Sequence, residues 1–240
     1  MRRALLILLL GLGLLAAGCG NSAGHSAAPS TETTTDTTTD TSTETTTETT
    51  TETTPTDGCA DVDVLPARED GSAKAPQERL DPEKTYNLLV KTNCGSFTVT
   101  LDLAKAPATT ASLVSLATSG FYDDMIFHRI IPGFVIQGGD PTQSGSGGAG
   151  YQTVDAPPAD ARYTKGVVAM AKTSAEPAGT SGSQFFVVTG ADIGLPAEYA
   201  IVGNVTSGID VVERIGLLGD PATEKPTRPV VIQSVTVEEQ

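Results

Sequence analysis

From residue 85 to residue 240 the chain alternates short apolar runs with turn residues, each run of a length that suits a strand or a short helix. YNLLVKTNCGSFTVTLD (86–102) holds two β-rich runs around TNCG and predicts a hairpin. In APATTASLVSLATSG (106–120), Leu113, Leu116 and Ala117 recur at helical spacing. Pro107 suits the first turn and Gly120 the stop, so a helix is expected there. Further strands are expected around 126–131, 134–137, 166–171, 184–189 and 199–202, with a last one in PVVIQSVTV (229–237). SGIDVVERIG (207–216) reads as a second helix. Ser207 with Asp210 gives it a capping-box-like start, and Ile209, Val212 and Ile215 give it an apolar face. Many short strands with turns between them predict a mainly β fold, a closed barrel whose open ends the two helices plug.

The front of the chain has a different pattern. Arg2 and Arg3 precede an apolar run from Ala4 to Ala17, followed by Gly18 and Cys19. That is the layout of an export signal and is too short for a membrane span. The small residues before Cys19 resemble the lipobox of bacterial lipoproteins, although Ala16 stands where that family usually has Leu. The resemblance implies cleavage before Cys19 and a diacylglycerol on its thiol. The product would sit on the extracytoplasmic face of the cell membrane, held to the bilayer by lipid. An ordinary cleaved signal with a chance cysteine is the alternative. Residues 31–54 are six tetrads, each with one acid at its second position and no apolar residue. Such a tract buries nothing to offset the entropy of ordering, and its like charges extend it. The expected organisation is a signal peptide at 1–18, a disordered stalk at 19–58, a linker at 59–84 and a folded domain at 85–240.

Charge narrows the function. Of the net −14, the larger share lies in residues 31–84, where 14 acidic residues face 4 basic ones. Neither a nucleic-acid footprint nor a polybasic lipid patch fits this balance. With Cys19 assigned to lipid, Cys59 and Cys94 remain, either as a disulfide suited to an oxidising compartment or as two free thiols. GSGGAG (145–150) matches a dinucleotide-binding pattern only formally, because no helix follows it. One histidine in the domain and no C-x-x-C leave no metal site, and no G-x-S-x-G supports a hydrolase.

FHRIIPGFVIQGGD (127–140) places His128 and Arg129 side by side in an apolar run. Taken alone, His128 reads as a packed, hydrogen-bonded ring and Arg129 as a surface cation paired with Asp123 or Asp124. Two more motifs change the reading of the arginine: GVVAMA (166–171) and GSQFFVV (182–188). Together the three resemble the cyclophilin family of peptidyl-prolyl cis-trans isomerases, over about residues 85–240. The resemblance implies a closed eight-stranded antiparallel β-barrel capped by two α-helices. It makes Arg129 the catalytic arginine and Gln137 the residue that orients it. Phe134, Val135, Phe186, Leu195 and Tyr199 match the proline pocket, with Val135 in place of a common Met and Tyr199 in place of a common His. Ala171, Lys172, Thr173 and Gln184 match the wall that binds the substrate backbone. Lys172 replaces the usual Asn and is expected to alter the groove's charge. Gly194 stands where many members carry a Trp that helps bind cyclosporin, which implies weak inhibition by that drug. In alternating strand geometry, one of Phe185 and Phe186 should face the core and the other the groove. Isomerisation breaks no bond, so neither metal nor cofactor is expected. The expected partners are proline-containing polypeptides and, through Cys19, the bilayer; no oligomerisation signal is seen and a monomer is expected. A proline-peptide binding module without useful turnover, and a stalked adhesin, are the competing readings.

Overall fold

The computed structural model describes residues 58–240. The expected signal peptide, Cys19 and the expected stalk, apart from its last residue Gly58, lie outside the described residues. Eleven strands and two helices follow one another. The strands are β1 Tyr86–Thr92, β2 Gly95–Leu101, β3 Met125–Ile126, β4 Arg129–Ile131, β5 Val135–Gly138, β6 Thr153–Val154, β7 Val167–Met170, β8 Thr180–Ser181, β9 Phe185–Val188, β10 Ile201–Ser207 and β11 Val231–Glu239. The helices are α1 Pro107–Thr118 and α2 Ile209–Gly216. Among the described residues no helix is long and apolar enough to cross a membrane.

Nine strands form one antiparallel sheet in the order β3-β11-β1-β2-β10-β7-β9-β5-β4, and β6 pairs with β8 apart from it. The sheet curls into a half-barrel. This corrects the expected closed barrel of eight strands: the end strands β3 and β4 are not paired with each other. The apolar run expected as one strand at 126–131 breaks at Phe127 and His128. The backbone on either side of the break bonds in two directions. Phe127 N donates to Val230 O at 2.9 Å and Ile130 N to Glu224 O at 2.8 Å. β3 and β4 are joined by Phe127 and His128 alone, and each pairs away from the other, β3 with β11 and β4 with β5.

Alternation along the strands sorts the side chains into two apolar layers. Ile136, Val168, Met170, Phe185, Val187 and Val202 join the main core inside the curl, with Leu113, Leu116 and Ala117 of α1. Their strand neighbours Val135, Val167, Ala169, Phe186, Val188 and Ile201 form a second cluster outside it. Phe185 and Phe186 therefore divide between core and outer face.

Pro107 opens α1, where a missing N–H costs nothing. The start of α2 differs from expectation. Ser207 ends β10, and Gly208, at φ 75°, is the N-cap with no side-chain hydrogen bond. A Cβ on Gly208 would lie 2.4 Å from Ser96 O, so the strand-to-helix corner requires a glycine. The rotation this sets buries Val211, Val212 and Ile215 and leaves Ile209 outside the buried face.

Residues 59–84 contain no strand or helix, yet they lie along the domain as a strap. Cys59 is fully buried and forms a disulfide with Cys94 in the β1–β2 turn. Farther on, Arg68 N donates to Pro141 O, Gly71 N to Gly148 O and Ala73 N to Ala149 O, each at 2.8–2.9 Å.

Candidate active site

Strand register brings the site together. Arg129 of β4 lies opposite Gln137 of β5, Gln137 opposite Phe186 of β9, and Phe186 opposite Ala169 of β7. Paired residues in an antiparallel sheet face the same side, so a guanidinium, an amide and a phenyl ring stand in one row outside the main core. Beside the row, Phe134, Leu195 and Tyr199 pack half-buried against the outer apolar cluster. The Tyr199 ring meets Phe186 edge to face at 5.6 Å. Val135 and Phe186, at 2% and 4% exposed, form the floor of this apolar recess rather than its rim. Tyr163, which the sequence reading passed over, fixes Tyr199 from below. Its hydroxyl donates to Tyr199 O at 2.7 Å and accepts from Tyr199 N at 2.9 Å.

Arg129 is held on two of its nitrogens. Nη1 donates to Gln137 Oε1 at 3.2 Å, and Nε donates to Glu224 Oε2 at 2.7 Å. The ion pair is thus with Glu224 of the loop after α2, not with Asp123 or Asp124. Asp123 accepts Val235 N instead. Nothing local in the sequence pointed to Glu224, which is 95 residues away. Its φ of 59° is uncommon outside glycine. Two backbone bonds hold it there: Glu224 N donates to Asp220 O at 2.7 Å, and its carbonyl accepts Ile130 N.

The amide chain continues beyond Gln137. Gln137 Nε2 donates to Gln184 Oε1 at 3.0 Å, and Gln184 Nε2 donates to the carbonyls of Gly145 at 3.0 Å and Gly147 at 2.9 Å. The loop carrying those glycines is built around Asp140. Its fully buried carboxylate accepts Thr142 N, Thr142 Oγ1 and Gly145 N at 2.7, 2.8 and 2.6 Å. Burial works to raise its pKa, but the hydrogen bonds from Thr142 and the loop glycines outweigh it and hold the group below the usual carboxylate range. GSGGAG is therefore a loop that makes a wall of the groove, and it opens no nucleotide-binding helix.

His128 is packed, as expected, but its ring is not hydrogen-bonded. Nδ1 and Nε2 are both buried without a partner. Burial pushes its pKa below the ordinary 6.5; attraction to Asp140 opposes this and the Arg129 charge adds to it.

Lys172 departs from expectation too. Its side chain is 2% exposed, and Nζ donates to Glu198 Oε2 at 3.0 Å and to the carbonyls of Thr173 and Glu176 at 3.2 and 3.1 Å. It also lies 5.5 Å from the Tyr199 ring centre. The cation therefore does not present its charge to the groove. Ala171 N is bonded to Gln184 O at 2.9 Å, and Thr173 N to Glu176 Oε2 at 2.6 Å. Gly194 has φ 63° and open space around it, a backbone conformation that disfavours a Trp.

The row, the recess and the amide chain together resemble an isomerase groove, and comparison with known proteins decides the family. The family model for cyclophilin type peptidyl-prolyl cis-trans isomerase/CLD matches residues 87–237. The chain belongs to this family. Among similar proteins, peptidyl-prolyl cis-trans isomerase-like 1 of Aspergillus oryzae is 40% identical over 153 residues, covering 62% of this chain and 93% of the relative. Peptidyl-prolyl cis-trans isomerase A of Mycobacterium tuberculosis is 38% identical over 173 residues, covering 65% and 94%. The crystal structure of a Cryptosporidium parvum cyclophilin type isomerase in the presence of the dipeptide Ala-Pro superposes with a TM-score of 0.59 at 31% identity, covering 63% of this chain and 98% of that one. The chain is a cyclophilin-type peptidyl-prolyl cis-trans isomerase, and the strap and everything before it precede the matched region.

Proposed function

We propose that this cyclophilin is exported, anchored to the membrane through lipid on Cys19, and isomerises X-Pro bonds in exported proteins, with Arg129 as its catalytic residue. The observation that carries the mechanism is the clamp on Arg129 at the edge of an apolar recess. Amide resonance sets a barrier of about 18–20 kcal/mol to rotation of the X-Pro bond. As the bond twists, the prolyl nitrogen pyramidalises and regains its lone pair. A fixed N–H donor aimed at that lone pair stabilises the twisted state and does nothing for the planar one. With Nε bonded to Glu224 and Nη1 to Gln137, the guanidinium is oriented from two sides, and its charge is permanent. Shortening tens of seconds to milliseconds needs about a 10⁴-fold acceleration, roughly 5.5 kcal/mol. A charge-assisted donor in a preorganised, apolar setting is of that order. Phe134, Phe186, Leu195 and Tyr199 receive the proline ring, and the Ala171–Thr173 segment with Gln184 borders the peptide on the other side. The Ala-Pro dipeptide in the Cryptosporidium parvum structure supports a proline-containing ligand.

Exchange NMR on an Ala-Pro peptide, with the full chain as wild type, Arg129→Ala and Arg129→Lys, tests this. Wild type should accelerate exchange, Arg129→Ala should lose at least a hundredfold in kcat/KM, and Lys should restore little. A folded wild type without acceleration would leave the binding-module reading. Full activity in Arg129→Ala would remove the arginine from the mechanism.

A further inference from the structure

The strap lies outside the region shared with the family model, yet it reaches the groove. Its backbone is bonded to the loop 140–150 at Pro141, Gly148 and Ala149. The approach is so close that a Cβ on Gly150 would lie 2.3 Å from Gly71 O, and one on Gly71 would lie 2.8 Å from Gly148 O. Contact at this distance sets the carboxylate of Asp70 over the loop, where Oδ1 accepts Gly148 N at 3.0 Å. Asp70 thereby becomes part of the lining of a cavity of about 640 Å³ that also touches Gln137, Gln184, Lys172 and Glu176. The cavity shares Gln137 and Gln184 with the amide chain to Arg129, so it continues the isomerase groove.

The charge of this cavity is one-sided. Lys172 is its only cationic lining residue among the described residues, and that ammonium is buried and held by Glu198. Glu176 is engaged by Thr173 N, Thr173 Oγ1 and Gln152. Asp70 is exposed, and its Oδ2 has no hydrogen-bond or ion-pair partner among the described residues. From this we infer that Asp70 is a specificity-determining residue: the strap completes a substrate cavity that takes a Lys or Arg side chain near the isomerised X-Pro bond. The cavity offers a cationic side chain an unengaged carboxylate oxygen of Asp70 and a second carboxylate, Glu176, in the same lining, with no competing exposed cation. The rest of the domain's negative balance reinforces the field toward such substrates.

The inference rests on the isomerase reading, and the test separates the two. Exchange NMR would follow the full chain on Ala-Pro peptides carrying Lys, Ala or Glu at each of the three positions on either side of the Ala-Pro pair. At low ionic strength Lys should be favoured over Glu at one or more positions by about three- to tenfold in kcat/KM, the range of one partly exposed charge pair. Asp70→Asn keeps an oxygen for Gly148 N but removes the charge, and should bring that ratio towards one. Raising salt to 1 M should do the same in wild type. No acceleration of the Ala peptide by wild type would defeat the isomerase reading itself. Acceleration with equal rates for Lys and Glu peptides would overturn only the strap inference, as would a ratio unchanged in folded Asp70→Asn. Should that variant not fold, a wild-type ratio insensitive to salt overturns it.

Discussion

At the scale of single residues, Arg129 depends on a partner the linear motif does not contain. Glu224→Gln keeps the shape of the acceptor and removes its charge. Because the pair is 35% and 49% exposed, solvent screens part of the loss. Turnover should fall about three- to fivefold with KM little changed, the range expected when a charge-assisted hydrogen bond becomes a neutral one. Glu224→Gly separates positioning from folding: it also removes the carboxylate, but it relaxes the positive φ. Its melting temperature should hold while kcat falls, measured by calorimetry beside exchange NMR. A fall in stability with unchanged kcat would assign Glu224 a structural role only. His128 gives a pH dependence of stability. Its folded pKa lies below the ordinary 6.5, so the unfolded chain takes up the proton first as pH falls. The stability its neutral form contributes is complete above about 6.5 and is lost as pH drops from there towards the folded value. His128→Leu should flatten that segment of a urea-midpoint profile. Asp140 acts in a separate window below its ordinary 3.8, because its folded pKa is also lowered.

At the scale of elements, the hairpin, both helices and most strands were legible because each rests on local pattern and turn residues. Three local features were not, and each was decided by another part of the chain. The run at 126–131 broke into two strands because its first part pairs with β11 and its second with β5. Gly208 displaced Ser207 from the cap of α2 because Ser96 leaves no room for a Cβ. Residues 59–84, polar and without periodicity, read as a linker, and nothing local in them showed their bonds to Asn93, Pro141 and Gly148. The Cys59–Cys94 disulfide is the covalent end of that strap. It closes a loop with a sequence separation of 35, for which chain entropy suggests about 3–4 kcal/mol of stabilisation. A Cys59→Ser, Cys94→Ser double variant should lose about that much in denaturant unfolding relative to the oxidised protein. A loss below about 1 kcal/mol would show that the strap's noncovalent contacts hold it without the bond.

At the scale of the whole molecule, the curled sheet separates stability from function. The main core fills the inside of the curl, and the outer face of β4, β5, β7 and β9 carries the candidate site row and the recess beside it. A domain with its groove on an outer face can meet long polypeptides without engulfing them, as the proposed action on exported chains requires. Changing Cys19 to Ser should move the protein from the membrane fraction to the soluble one while isomerase activity per molecule stays the same. Retention in the membrane by the Ser variant would refute lipid anchoring through that thiol.

The sequence by itself determined the family, most of the strand and helix content, and the side chains of the candidate site. Arg129, Phe134 and Gln137 are within one contiguous motif, and strand pairing of such a segment follows from its own turn at Pro132 and Gly133. Only the tertiary structure decided what surrounds them. It left the sheet open, moved the charge of Lys172 out of the groove, and brought Glu224 to Arg129 and Asp70 to the glycine loop. These outcomes depend on pairings between residues distant in sequence, where a hydrogen bond or a charge finds its partner only after the chain has folded, and no local period records such a pairing.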